Sequence, residues 1–258
     1  MTPTSTWVYV GVFENFPSKR TKMMNAAQYD AWYDSPLGRA CLVSEGRLLM
    51  ESMVFEGSER TLEVGCGTGR FLIDIVMKKQ PRIVGVDRDI SFLIFAKRKG
   101  ERLGLHPNLI QADGAVLPFR DGQFDIAYEI TTLCFVQDEK KVLDEMIRVS
   151  SDNGRILLGE LNPVSPWQWW RRLKGWFGYG SFKRAKWHFP SDLKRILNEK
   201  GYKKVLIQRA IFFAPLNIRN YLHWRNLFEW VGSVLFPRIG AFYLITATKK
   251  KNKQGVNS

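Results

Sequence analysis

The sequence predicts an α/β fold built on a doubly wound, mainly parallel sheet. Three observations carry that expectation. Between residues 61 and 161 short apolar runs alternate with helical patterns of about 10–15 residues, the signature of repeated βαβ units. The apolar runs are continuous rather than alternating, which suits strands covered on both faces. The stretch "TLEVGCGTGRF" at 61–71 ends the first run in a glycine loop and opens a helix, where such sheets place their ligands.

The elements follow in order. Residues 1–22 read as a leader, loose or added by an upstream start, and the domain is expected to begin near Met23 or Met24. Residues 38–56 place Leu42, Leu48, Leu49, Met53 and Phe55 at helical spacing. "TLEVG", "RIVGVD", "LIQAD", "FDIAYEITTL" and "RILLGEL" are expected as strands. Helices are expected at "GRFLIDIVMKK", "ISFLIFAKRKGERLG" and "DEKKVLDEMIRVS", with a turn at Asn153-Gly154. Beyond 161, "PSDLKRILNEKGY" reads as a helix with Ser191 as N-cap. "KKVLIQRAIFF" and "AFYLITATK" read as two final strands, with an aromatic helix at 217–236 between them. The expected organisation is a core at 23–160, its C-terminal part with a substrate cap at 161–248, and a basic tail at 249–258.

Composition bounds the rest. The 258 residues are 45% hydrophobic, enough for a sizeable core. Cys41, Cys66 and Cys134 form no CxxC pair, which argues against a disulfide framework or a structural zinc site and for a reducing, cytoplasmic setting. The net charge of +14 is lopsided: residues 1–160 carry −2 and residues 161–258 carry +16. Such asymmetry implies an anionic partner, whether nucleic acid, lipid headgroups or an acidic substrate. Residues 161–191 contain no acid, six Lys/Arg and five of the nine tryptophans. Cations among tryptophans suit a lipid–water interface, so peripheral attachment to the inner face of a membrane is one expectation. A lid whose tryptophans pack over the active site is the other.

Arg70 and Phe71 follow the last glycine, so the loop lacks the Lys-Ser/Thr of a P-loop. Gly65, Gly67 and Gly69 are spaced G-x-G-x-G, tighter than the dinucleotide G-x-G-x-x-G. The second strand ends in Asp87, where a carboxylate can accept both ribose hydroxyls of a nucleoside. Asp113 follows the third, placed to meet an adenine amino group. Either acid could instead serve as a turn former. Gly69 could serve helix–strand packing alone, and Cys66 reads as a small filler inside the loop.

"LEVGCGTGRF", "GVDRD", "QADGAVLPF" and "FDIAYEITTLCFV" together resemble a class I S-adenosylmethionine-dependent methyltransferase of the methyltransferase type 11 group, over about residues 25–160. The resemblance implies a Rossmann-like seven-stranded sheet, its last strand antiparallel, and S-adenosyl-L-methionine as cofactor. It implies that Gly65, Cys66, Gly67 and Gly69 lie under the methionine part, with Glu63 holding the loop and the amino group. Asp87 would bind the ribose, Arg88 flank the adenine, and Asp113 and Gly114 meet the adenine edge. Ile130, at the end of the fourth strand, would be a further cofactor contact. Tyr33, with Tyr29 and Arg39, would cap the cofactor.

Methyl transfer needs alignment and exclusion of water more than acid–base chemistry. Glu129, at the end of the fourth strand, is the candidate general base, or else a cofactor contact or ion-pair partner. His188 and His223 lie in the later region. Adenine-amino methyltransferases usually carry a [DNS]-P-P-[YF] motif and RNA cytosine-carbon enzymes a Pro-Cys nucleophile; here stand "YEITTL" and Leu133-Cys134, which lowers the nucleic-acid expectation. The basic, tryptophan-rich stretch points instead to an acceptor that is small and hydrophobic, quinone-like or lipid-like. The alternatives are an RNA methyltransferase using the basic C-terminal third and a non-catalytic cofactor-binding module.

Overall fold

In the computed structural model, β1 (Thr61–Val64), β2 (Ile83–Asp87), β3 (Asn108–Gln111), β4 (Phe124–Ile130), β5 (Ser150–Leu161), β6 (Tyr202–Ala210) and β7 (Phe242–Lys249) form one sheet. Their spatial order is β3-β2-β1-β4-β5-β7-β6. Pairings from β3 through β5 are parallel, and β7 lies antiparallel between β5 and β6. This is the expected mainly parallel, seven-stranded sheet with its last strand reversed. The structure describes residues 25–53, 55, 57–79, 82–170 and 185–249. The expected leader, the tail beyond 249 and the cations Arg171, Arg172, Lys174, Lys183 and Arg184 lie outside the described residues.

Among the described residues, the helices include α1 (Ala26–Asp34), α2 (Pro36–Ser52), α3 (Ile90–Arg102), α4 (Glu139–Val149), α5 (Pro190–Glu199), α6 (Arg219–Leu222) and α7 (Arg225–Leu235). Two apolar cores lie on opposite faces of the sheet. One gathers Leu49, Leu72, Leu93, Ile126, Tyr128 and Ile130 beneath α2 and α3. The other gathers Leu62, Val64, Val142, Leu143, Leu193 and Leu197 beneath α4 and α5. Burial on both faces is why the central strands read as unbroken apolar runs.

Several expected elements change in detail. α1 is absent from the expected helices because "AAQYDAWYD" carries no clear apolar stripe; an Asn25–Gln28 capping box starts it. Between 69 and 79 only a five-residue π-helix forms, Leu72–Val76, where β-branched Ile73, Ile75 and Val76 are poor helix formers. Asn153-Gly154 sits inside β5: the pairing steps from Phe124↔Ser150 to Ile126↔Arg155, so residues 151–154 bulge out. Ser191 is not the N-cap of α5. Phe189 takes that place and Pro190 fills the first helical position, where its fixed φ fits. The expected helix at 217–236 is two helices, broken at His223 and Trp224.

Candidate functional site

The loop after β1 takes its shape from its glycines. Gly65, Gly67 and Gly69 all adopt positive φ, 76°, 52° and 77°. The amides of Gly65 and Cys66 donate to Val86 O at the end of β2, at 2.7 and 2.9 Å. The three glycines do different work. A Cβ on Gly65 would stand 2.2 Å from Thr132 Oγ1, and one on Gly69 2.7 Å from Ile73 Cδ1. Both are therefore packing glycines. Around Gly67 a Cβ would meet only the rings of Phe92 and Tyr29, at 3.6 and 3.9 Å. Gly67 thus presents bare main chain to a space flanked by two aromatic rings.

Asp87 holds the loop from β2. Its Oδ2 accepts the Gly67 amide and its Oδ1 the Asp89 amide, both at 2.9 Å. Burial raises its carboxyl pKa, against the lowering effect of those two amides. Each carboxylate oxygen keeps a second lone pair for a ligand hydroxyl. Glu63 lies beneath the loop, buried, accepting from the Tyr128 hydroxyl at 2.8 Å. Burial pushes its pKa up to about 8, and the Tyr128 hydroxyl and Leu72 amide hold it from rising further. Cys66 is a filler: its sulfur packs where a Cβ on Gly85 would go, and burial pushes its thiol up.

The other expected contacts are spread around this loop. Arg88 is exposed, and its carbonyl accepts from Gln111 Nε2. Asp113 is exposed and caps the Ala115 amide at 2.9 Å, the local turn that its position allows. Gly114 packs against Val64 and Val142. Ile130 is buried against Gly159. Tyr33 is buried among Trp32, Phe71 and the Arg70 guanidinium, so Tyr29 is the tyrosine beside Gly67. The two hydroxyls lie 3.5 Å apart.

Glu129 leaves β4 on the face opposite Tyr128 and Glu63. It is fully buried, and its Oε2 accepts the amides of Thr132 and Leu133 at 2.8 and 3.4 Å. Its neighbour is Glu160, whose Oε1 accepts the Cys134 amide. Burial first, then the charge of Glu160, holds the Glu129 carboxyl far above its usual range. Burial lifts Glu160 to about 7. The two acids lie side by side and together cap the turn after β4 through the Thr132, Leu133 and Cys134 amides. That turn is strained: Thr131 has φ 52°, and Thr132 Oγ1 donates to Val64 O at 3.1 Å beside Gly65. His188 contributes a carbonyl to the Tyr243 hydroxyl, and His223 lines a surface cleft.

One cluster escapes a reading of the sequence. Arg70, the residue after the glycine loop, pairs with Asp30, Asp34 and Asp74 at 2.6, 3.0 and 3.2 Å. Lys99 of α3 joins Asp30 and Asp74 at 3.1 and 2.9 Å. Burial works against the Arg70 charge, but its three carboxylates outweigh burial and raise its pKa. The signal in the sequence is only the spacing Asp30–Asp34 and Arg70–Asp74, each one helical turn apart.

A family model described as a methyltransferase domain matches residues 62–158. An uncharacterized protein of Mycobacterium tuberculosis is 30% identical over 205 residues, covering 80% of this chain and 67% of that one. The chain belongs to the class I S-adenosylmethionine-dependent methyltransferases, type 11 group. It is an enzyme, and S-adenosyl-L-methionine is its cofactor. The methyltransferase is also similar to a demethylmenaquinone methyltransferase of Thermus thermophilus, 33% identical over 41% of this chain and 48% of that one. A phosphatidylethanolamine N-methyltransferase of Cereibacter sphaeroides is 32% identical over 50% of this chain and 64% of that one. A solved S-adenosylmethionine-dependent methyltransferase from Thermotoga maritima shares the fold, with TM-score 0.65 and 22% identity over 87% of this chain and 96% of that one. The bare main chain at Gly67, flanked by Tyr29 and Phe92 with Asp87 beside it, fits the cofactor.

Proposed function

We propose that the methyltransferase acts on a small hydrophobic acceptor, quinone-like or lipid-like. One observation carries the reading. The residues that cover the sheet beyond the loop, Trp167, Ile211, Phe213 and Leu222, belong to the same apolar cluster as Tyr33 and Phe71 behind the loop. These side chains are packed and buried together, so the structure beside the loop is largely apolar, which favours a hydrophobic acceptor. The two relatives named for a quinone and a phospholipid substrate agree with that chemistry.

Bound at Gly67, the cofactor supplies a methyl group already activated on a sulfonium. The chain's own residues then hold and orient. Gly65, Cys66, Gly67 and Gly69 form the cradle, with Glu63 fixing it from below. Asp87 takes the ribose hydroxyls, and Arg88, Asp113 and Gly114 the adenine. Tyr29 and Tyr33 close the α1 side, and Ile130 backs the acceptor side. Glu129 is a positioning residue: with its Oε2 engaged by two amides, it fixes Thr132 and Leu133 rather than removing a proton from the acceptor.

Mass spectrometry of lipid and metabolite extracts incubated with the enzyme and methyl-labelled cofactor tests the reading. Label in an organic-phase product is the expected result. Label only in RNA or in water-soluble products would sink it.

A further inference from the structure

α7 carries apolar side chains on both sides. Toward the core, Phe228 packs on the apolar cluster beside the buried Glu229 and Gly232. Glu229 is 5% exposed and accepts the Ile211 amide at 2.9 Å. Its outer side holds Leu227, Trp230, Val234 and Leu235, with Trp230 66% exposed. Trp224 before the helix and Phe236 and Ile239 after it extend the exposed apolar stripe. Glu229 is the sole acid from residue 200 to the end of the chain, so with its burial α6 and α7 themselves show no negative charge.

Cations flank the stripe. A cleft of about 540 Å³ lies where α6 and the start of α7 meet α2, lined by Arg39, Arg219, His223 and Arg225. Among the described residues none of these three arginines has an ion-pair partner, whereas Asp34, also in the cleft, is held by Arg70. Asn217 Oδ1 accepts the Leu37 amide and ties the α6 side to α2. The apolar stripe and the cationic cleft therefore meet at the start of α7.

We infer that this surface docks on an anionic lipid bilayer, with the α7 stripe in the headgroup–acyl boundary and the Arg39–Arg219–Arg225 cleft taking an anionic headgroup. The physical reasons are the two that govern interfacial helices. Trp and aliphatic side chains gain by leaving water, and cations gain at a negative surface. A second copy of this chain could cover the apolar stripe, but its own cationic cleft would repel the first. The inference deepens the hydrophobic-acceptor reading and takes its purpose from it: docked, the enzyme would meet an acceptor dissolved in the bilayer.

Co-sedimentation of the full chain with vesicles, in the absence of cofactor and acceptor, tests it separately from any activity. Vesicles of phosphatidylcholine alone are compared with vesicles containing phosphatidylglycerol. The expected result is binding to the second kind that weakens with salt. Leu227→Glu with Trp230→Glu should cost about tenfold in vesicle affinity. Arg219→Gln and Arg225→Gln should cost about fivefold each, the contribution of one cation near an anionic surface. All variants should bind the demethylated cofactor product like wild type, which shows that they are folded. Three outcomes would overturn the inference: no vesicle binding; variants that bind vesicles like wild type, so that the basic tail alone acts; or a dimer broken by Leu227→Glu and Trp230→Glu without vesicle binding. Failure here with label still entering an organic-phase product would leave the acceptor reading standing.

Discussion

Arg70 Nη2 meets Asp30 Oδ2 at 2.6 Å and also donates to the Asp30 carbonyl at 2.5 Å. Through this pair, the residue next to the glycine loop holds α1, and α1 carries Tyr29 to Gly67. Both side chains are about one-tenth exposed, so each depends on the other for its missing water. Asp30→Ala is expected to cost about 1.5–3 kcal/mol of stability, the range of a hydrogen bond to a charged group, because Arg70 keeps Asp34 and Asp74 and Lys99 keeps Asp74. Denaturant unfolding checks it. A loss below about 1 kcal/mol, the range of a surface pair, would refute the buried-pair account.

Stability should fall as pH rises. The Glu63 carboxyl titrates at about 8 in the folded chain, against ~4.3 unfolded. Between those values the folded state keeps a proton that the unfolded state has lost. Stability therefore declines through that window, by up to about 1.4 kcal/mol per pH unit for one group. Glu160, lifted to about 7, adds to the lower part of the window. Tm measured from about pH 5 to about pH 9 should fall, and Glu63→Gln should flatten the slope. An unchanged slope in the variant would show that Glu63 is not the group responsible.

Glu129→Gln separates a base from a positioning residue. Its uncharged amide suits the buried place that raises the carboxyl, while its oxygen still accepts the Thr132 amide. Turnover with any accepted substrate should stay within about threefold of wild type, with an unchanged pH profile. Loss of about 100-fold or more at all pH values would restore Glu129 as the base.

How far these features were legible in the sequence depended on range. The strands of the sheet, the glycine loop and Asp87 are written in local pattern, because apolar runs and turn glycines act within a few residues. β7 could be named as reversed only through the family resemblance, since nothing in "AFYLITATK" fixes a direction. The split roles of Gly65, Gly67 and Gly69 were not legible. They depend on Thr132, Ile73 and Phe92, which reach the loop from other elements. Tyr33 and Tyr29 are one helical turn apart and equal in composition; only the packing of Phe71 and Arg70 decides which one faces the loop. The Asp30–Arg70–Lys99 cluster joins three elements and leaves no local motif. α7 was readable as aromatic, but which aromatics stay exposed required knowing that Phe228 and Glu229 point inward.

The central claim is that a nucleoside sulfonium lies on the bare main chain of Gly67. Calorimetric titration of the demethylated cofactor product into wild type and Gly67→Val tests it most directly. Wild type should bind one equivalent. Gly67→Val, whose branched side chain enters that space and strains a positive-φ position, should lose at least about tenfold in affinity while the protein remains folded by circular dichroism. Equal affinity in the two proteins would contradict the placement of the cofactor on this loop.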